Sequence, residues 1–198
     1  LAARKGDLPS QFGINIAVSP GVDDPARQTG EVLASLRAFL ERGVYPAWFT
    51  LNLSCPNTED DPGGNQTADL AGQLCGAAVA CLREAEGAAG RAIPLWVKVG
   101  PDLSAAQYRA LLRALAAAGA RAVIATNTLG LPAPGNPALT AGVGGGRLHA
   151  PALAAVRVLM EERAAGGWAV DVIACGGVLD GATFRDFAAL GAPAAQYW

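Results

Sequence analysis

The chain has 198 residues, 52% hydrophobic and 16% charged, with a formal net charge of −2. That length suits one domain with a sizeable core, and the composition fits an α/β protein with much buried surface. The near-neutral balance gives no electrostatic reason to expect a nucleic-acid partner, and no apolar run approaches the roughly 20 residues of a bilayer-spanning helix.

Strand and helix patterns alternate along the chain. Phe12 to Val18 is a short apolar run closed by Ser19-Pro20-Gly21, which predicts a strand. A helix follows from about Pro25 to Arg42, with Val32, Leu33, Leu36, Phe39 and Leu40 along one face. Trp48 to Ser54 reads as a second strand ended by Pro56, and Thr67 to Glu86 as a second helix carrying Leu70, Leu74, Val79 and Leu82. Leu95 to Val99 is a third strand. Ser104 can cap the next helix, which runs to Ala118 before Gly119 ends it. Ala122 to Thr126 is a fourth strand, followed by a Gly/Pro-rich loop, and Pro151 is placed in the first turn of a further helix. Val170 to Ala174, a short helix from Gly181 to Leu190, and Ala194 to Trp198 complete the pattern.

Continuously apolar strands alternating with helices imply a parallel sheet covered by helices. A doubly wound open sheet and a (β/α)₈ TIM barrel both fit, and both place their sites at the strand C-termini. Cys55, Lys98, Asn127 and Gly176 stand there. The chain opens Leu1-Ala2-Ala3 without an initiator Met, has no segment resembling a signal peptide, and stops within an apolar run at Gln196-Tyr197-Trp198. A sequence truncated at both ends is therefore expected, and about six strands against a barrel's eight keep an incomplete barrel in view.

The single histidine, His149, argues against a His-based zinc site or a Ser-His-Asp triad; it reads as a surface residue near a helix start, with no role. Cys55, Cys75, Cys81 and Cys175 show no metal-ligand spacing, so no metal is expected. Reduced thiols in a cytoplasmic protein are the simplest reading.

Several segments carry chemistry. In Asn52-Leu53-Ser54-Cys55-Pro56-Asn57, asparagine is unfavourable within an apolar strand, and Pro56 turns Cys55 and Asn57 into a loop. The same residues fit a plain strand-to-loop turn with Cys55 as a small buried hydrophobe, and local sequence does not choose between the two. Lys98, flanked by Val97 and Val99, is expensive to bury unless it meets an anion, though it could also snorkel from the strand end. Thr126-Asn127-Thr128 offers three hydrogen-bonding side chains for a planar polar ring, or for a turn. Gly142-Val143-Gly144-Gly145-Gly146 and Cys175-Gly176-Gly177-Val178 each lead into a helix, where unpaired backbone N–H groups can receive an anion.

In order, NLSCPNT, WVKVGPDLS, IATNT, GVGGGRLHAPAL and VIACGGVLDG, with FGINIA upstream, resemble the successive motifs of the FMN-dependent dihydroorotate dehydrogenases across essentially the whole chain. The resemblance implies a single (β/α)₈ barrel domain over residues 1–198, lacking its first two β/α units and its C-terminal end. It implies Cys55 as the catalytic base. Asn52, Asn57, Asn127 and Thr128 would hold the pyrimidine; Asn15, Asn52, Lys98 and Thr126 would contact FMN; Gly145, Gly146, Gly176 and Gly177 would approach its phosphate. The implied reaction, in pyrimidine (UMP) biosynthesis, oxidises dihydroorotate to orotate: a proton leaves C5 for the base and a hydride leaves C6 for the flavin. A thiol with a free pKa of about 8.5 can serve as base where its surroundings favour thiolate.

Fumarate, NAD or quinone would then reoxidise the flavin. Cys55 resembles the soluble class, while VKVGPDLS and IATNT resemble the quinone-linked class. The expected location is the cytoplasm, with peripheral contact at the cytoplasmic face of a membrane only for a quinone-linked enzyme; the resemblance is also compatible with a homodimer. The acidic segment Thr58 to Gly64 departs from the family pattern, and Val143 and Ala174 stand where glycines are common, Val143 where its side chain could hinder a phosphate. Two other readings stand beside this one. The first is a related flavin reductase of pyrimidines: a dihydropyrimidine dehydrogenase, which usually has His at the position of Asn57, or a dihydrouridine synthase, whose basic RNA-binding surface the pI of 5.4 disfavours. The second is a non-catalytic truncated barrel.

Overall fold

The computed structural model describes residues 11–19, 22, 24–53 and 68–197. Six parallel strands form one sheet in the order β1-β2-β3-β4-β7-β8. They are β1 (Gly13–Ala17), β2 (Trp48–Asn52), β3 (Leu95–Val99), β4 (Ala122–Ala125), β7 (Asp171–Cys175) and β8 (Ala194–Gln196). Helices α1 (Pro25–Leu40), α2 (Ala68–Glu84), α4 (Ala105–Ala117), α5 (Gly146–Gly166) and α6 (Gly181–Ala189) connect them, and Glu86–Ala89 forms a short α3. Each long helix lies between consecutive parallel strands, as a parallel crossover requires. The result is α/β, as the alternating pattern implies, and of its two closures the strands in sequential order fit the incomplete barrel that the family resemblance implies.

Local chemistry sets the helix boundaries. The Asp24 side chain accepts from the N–H groups of Ala26 and Arg27, with Pro25 in the first turn of α1. Ser104 and Gln107 form a reciprocal capping box at the start of α4, and Gly119, at φ +92°, follows its end. Thr67, expected to open α2, is outside the described residues.

The core lies between the sheet and its helix layer. Phe49, Leu51, Val97, Val123 and Val172 point from the strands into Leu36, Leu74, Leu111, Leu115 and Leu159, all buried. Arg113 on α4 ties this layer to Glu162 on α5 through two hydrogen bonds of 2.7 and 3.0 Å. Strand alternation sends the other side chains to the opposite, inner face. There Trp48 and Trp96 stack with ring centroids 4.3 Å apart and planes 15° apart. Ala122, Ile124 and Ile173 continue that face, with Trp96 and Cys175 against them.

Two expectations need correction. The Gly/Pro-rich segment after β4 is an antiparallel hairpin, β5 (Leu129–Ala133) with β6 (Asn136–Val143), turning at Pro134-Gly135. Its half-buried residues Leu129, Leu131 and Ala133 do alternate, but Gly130 and Pro132 between them mask the strand pattern. Helix α5 begins at Gly146 rather than close to Pro151, so Pro151 lies inside it. The helix therefore starts more than a turn earlier and carries its N-terminus to the strand ends.

Candidate active site

Inner-face alternation and register gather polar side chains at the C-terminal rim of the sheet. Asn52 closes β2 opposite Lys98 on β3, and Cys175 closes β7 opposite Gln196 on β8. A cleft of about 790 Å³ opens above them. Its lining includes Lys98, Thr126, Asn127 and Thr128 together with Gly144, Gly145, Gly176 and Gly177.

The Asn127 side chain is fixed from several directions. Its Nδ2 donates to Asn52 Oδ1 at 3.2 Å, and its Oδ1 accepts the Thr128 N–H at 2.9 Å. The Asn127 backbone N–H donates to the Val99 carbonyl at 2.8 Å, and Thr126, buried beside it, donates from Oγ1 to the Asn127 carbonyl at 2.9 Å. Asn52 and Asn127 thus form a rigid amide pair bridging the ends of β2 and β4. Such a pair presents donors and acceptors in one place, which suits a planar heterocycle.

Lys98 is half-buried on the inner face. Its Nζ donates to Cys175 Sγ at 3.5 Å, and it forms no ion pair with a carboxylate among the described residues. A partly desolvated ammonium without a carboxylate partner favours an anionic ligand. The start of α5 supplies a second such preference. Helix α5 has no side-chain cap: Gly145, at φ +66°, occupies the N-cap position and accepts the Leu148 N–H at 3.0 Å, so no side chain stands between the first turn and the cleft. The neighbouring α6 is closed off by the Asp180–Thr183 capping box.

Gly176 and Gly177 take φ values of +126° and +65°. A Cβ on Gly176 would fall 2.8 Å from Leu148 Cγ, and one on Gly177 would fall 2.8 Å from the Gly145 carbonyl oxygen. Only glycine lets the loop after β7 lie this close to the start of α5. Two segments separated by a whole helix become one cradle of backbone amides.

The residues expected from sequence are distributed as follows. Lys98, Thr126, Asn127, Thr128, Gly145, Gly176 and Gly177 line the cleft, and Asn52 reaches it through Asn127. Asn15 is exposed on the inner face of β1, level with Thr50, and does not line the cleft. Gly146 is the first residue of α5, while Gly144 lines the cavity in its place. Val143 pairs with Leu129 in the hairpin, away from the cleft lining, and Ala174 is buried on the helix side of the sheet. Cys55, Asn57 and the acidic segment Thr58 to Gly64 lie outside the described residues.

Sequence reasoning missed the contact of Cys175 with Lys98. The alternation of Asp171, Ile173 and Cys175 would have placed the thiol on the inner face. His149 also needs correction as a surface residue without a role. Its side chain is only 18% exposed, its Nε2 lies 3.0 Å from Asp186 Oδ2, and its ring meets Phe187 edge-on. Among the described residues, no group of three or more His, Cys, Asp or Glu is arranged to hold a metal, and no helix is long and apolar enough to cross a membrane.

A parallel α/β barrel-type sheet with a polar, glycine-lined cleft at its C-terminal rim is the class that these elements define. The family model for dihydroorotate dehydrogenase matches residues 6–198. The chain is 34% identical over 203 residues to a dihydroorotate dehydrogenase (quinone) of Bordetella parapertussis, covering 96% of this chain and 54% of that protein. It is 39% identical over 160 residues to a dihydroorotate dehydrogenase (quinone) of Leptothrix cholodnii, covering 79% and 46%. The crystal structure of DHODH of Eimeria tenella in complex with ferulenol superposes with a TM-score of 0.74 at 22% identity, over 94% of this chain and 52% of that one. The chain belongs to the dihydroorotate dehydrogenase family. It spans about half the length of the curated relatives it matches.

Proposed function

We propose that the full-length protein oxidises dihydroorotate to orotate in pyrimidine biosynthesis, with FMN as cofactor and a quinone as the final electron acceptor. The observation that carries this reading is one cleft that holds both a rigid amide pair, Asn52 with Asn127, and a cationic and amide-rich wall suited to a phosphate-bearing ring system.

The residues present fit FMN. Gly145, Gly176 and Gly177 line the cleft with bare backbone, the loop after β7 lying so close to α5 that a Cβ at Gly176 or Gly177 would strike that helix, and α5 begins there without a side-chain cap, as a phosphate site would require. Lys98 and Thr126 line the same cleft, where the ammonium would supply positive charge to the bound cofactor. When bound, FMN supplies the hydride acceptor for C6 of the substrate. Asn52, Asn127 and Thr128 hold the pyrimidine by its amide and carboxylate groups, with Asn57 as a further partner. Cys55 removes the C5 proton, the role that its position in the family motif implies. Gly146 opens α5 beside Gly145, so its part in cofactor binding would be through its backbone N–H, while Asn15 stands on β1 outside the cleft lining.

The acceptor assignment rests on the relatives, whose names carry the quinone. It implies peripheral contact with the cytoplasmic face of a membrane. Cysteine at the base position, where the quinone-linked class typically has serine, keeps fumarate and NAD as the alternatives to be compared. The test is direct: the full-length protein should purify yellow and oxidise dihydroorotate, faster with a short-chain quinone than with fumarate or NAD. Cys55→Ala should retain flavin and lose most turnover. A colourless full-length protein contradicts the reading.

A further inference from the structure

Lys98 and Cys175 meet across an intervening strand. Lys98 stands on β3 opposite Ile124 of β4, and Ile124 stands opposite Ile173 of β7, two residues before Cys175. The lysine stem therefore lies over the end of β4, and its Nζ reaches Cys175 Sγ at 3.5 Å. Both residues line the cleft, next to Gly176 and Gly177. No ion pair with a described carboxylate fixes the ammonium anywhere else.

We propose that Cys175 is a positioning residue for Lys98: its sulfur anchors the ammonium on the β7 side of the cleft, where the charge faces the cofactor ring rather than solvent. The proposal rests on the FMN reading above. A thiol is a weak acceptor, so the anchor acts by geometry more than by strength. Lysine has a long flexible stem, and without a partner its charge is spread over many rotamers. A cation held beside the ring favours the more negative, reduced form of the flavin over the oxidised form. Replacing Cys175 with valine removes the acceptor and keeps a compact apolar side chain, one methyl group bulkier than the thiol.

The experiment is a double-mutant cycle in flavin-loaded full-length protein, read as the midpoint potential of bound FMN. Cys175→Val should reduce the preference for reduced over oxidised FMN by roughly three- to tenfold. At tenfold this is a fall of about 30 mV for a two-electron couple. Cys175→Ser, which restores an oxygen acceptor, should recover much of the loss. In a Lys98→Met background, Cys175→Val should change the preference less than about twofold, because the effect passes through the lysine. An unchanged potential in Cys175→Val, or an equal fall in the Lys98→Met background, overturns the proposal.

A second readout needs no potential. FMN added to the flavin-free protein should protect Cys175 from maleimide. Cys75, its thiol pushed up to about 12 by burial, and the buried Cys81 should stay unlabelled throughout. Equal labelling of Cys175 with and without bound FMN overturns the proposal. A parent protein that binds no FMN at all removes the functional reading instead, and is seen before any variant is made.

Discussion

Gly177 and His149 are in such close contact that a Cβ on the glycine would sit 2.6 Å from the Cβ of the histidine. The histidine is itself braced by Asp186 at 3.0 Å and by the edge of the Phe187 ring at a centroid distance of 5.1 Å. Helix α6 thus grips the His149 ring while Gly177 packs on its Cα and Cβ, so the first turn of α5, α6 and the loop after β7 meet at one histidine.

Gly177→Ala should therefore fail twice, through backbone strain at φ +65° and through overlap with His149 and the Gly145 carbonyl. A loss of roughly 2–4 kcal/mol in urea unfolding is expected, with at least tenfold weaker FMN binding by fluorescence titration. Gly135→Ala is the control. Its φ is +81° but nothing lies within 4 Å of the new Cβ, so only the strain should appear and FMN affinity should hold.

His149→Ala removes the brace without adding an overlap. The empty space over Phe187 should cost about 1–3 kcal/mol of stability. FMN affinity should fall several-fold as the start of α5 loosens, while the Asn52–Asn127 side of the cleft still binds orotate in isothermal titration.

The inner face makes a separate prediction. A Cβ on Gly13 would run into the Trp48 ring, which stacks on Trp96. Gly13→Ala should displace Trp48 and weaken the coupled tryptophan signal in near-UV circular dichroism. Gly30→Ala, at a helical position with nothing within 4 Å, should leave that signal intact.

Acid should loosen the helix layer. The paired hydrogen bonds from Arg113 hold the Glu162 carboxyl below its usual range, with burial opposing and the Trp168 N–H assisting. A carboxyl whose folded pKa is depressed contributes stability above its unfolded pKa and loses it as pH falls through the folded one. The urea midpoint should accordingly drop as pH is lowered below about 4. Glu162→Gln should be less stable at pH 7 and show a shallower decline.

Much of this was legible from residue order, for identifiable reasons. The strands are apolar and short, so Lys98, Asn127 and Gly176 at their ends stood out. Ser104 and Gly119 bounded α4 by capping chemistry that operates within a few residues. Contacts made across other strands were not legible. Alternation puts Cys175 on the inner face, but only the register through Ile124 and Ile173 shows that it meets Lys98. His149 looked like surface because its partners, Gly177, Asp186 and Phe187, arrive from a later β/α unit. The start of α5 was misplaced because Pro151 is a common first-turn residue, whereas the true N-cap is Gly145, which offers no side chain to recognise.

The proposed function requires this cleft to bring dihydroorotate and FMN together for oxidation. The most direct measurement is anaerobic mixing of dihydroorotate with the purified full-length flavoprotein, following the visible flavin absorbance without any added acceptor. Stoichiometric bleaching with release of orotate, slowed severely in Cys55→Ala and in Asn127→Ala, is the predicted result. A flavin-loaded protein whose absorbance dihydroorotate leaves unchanged would contradict the account.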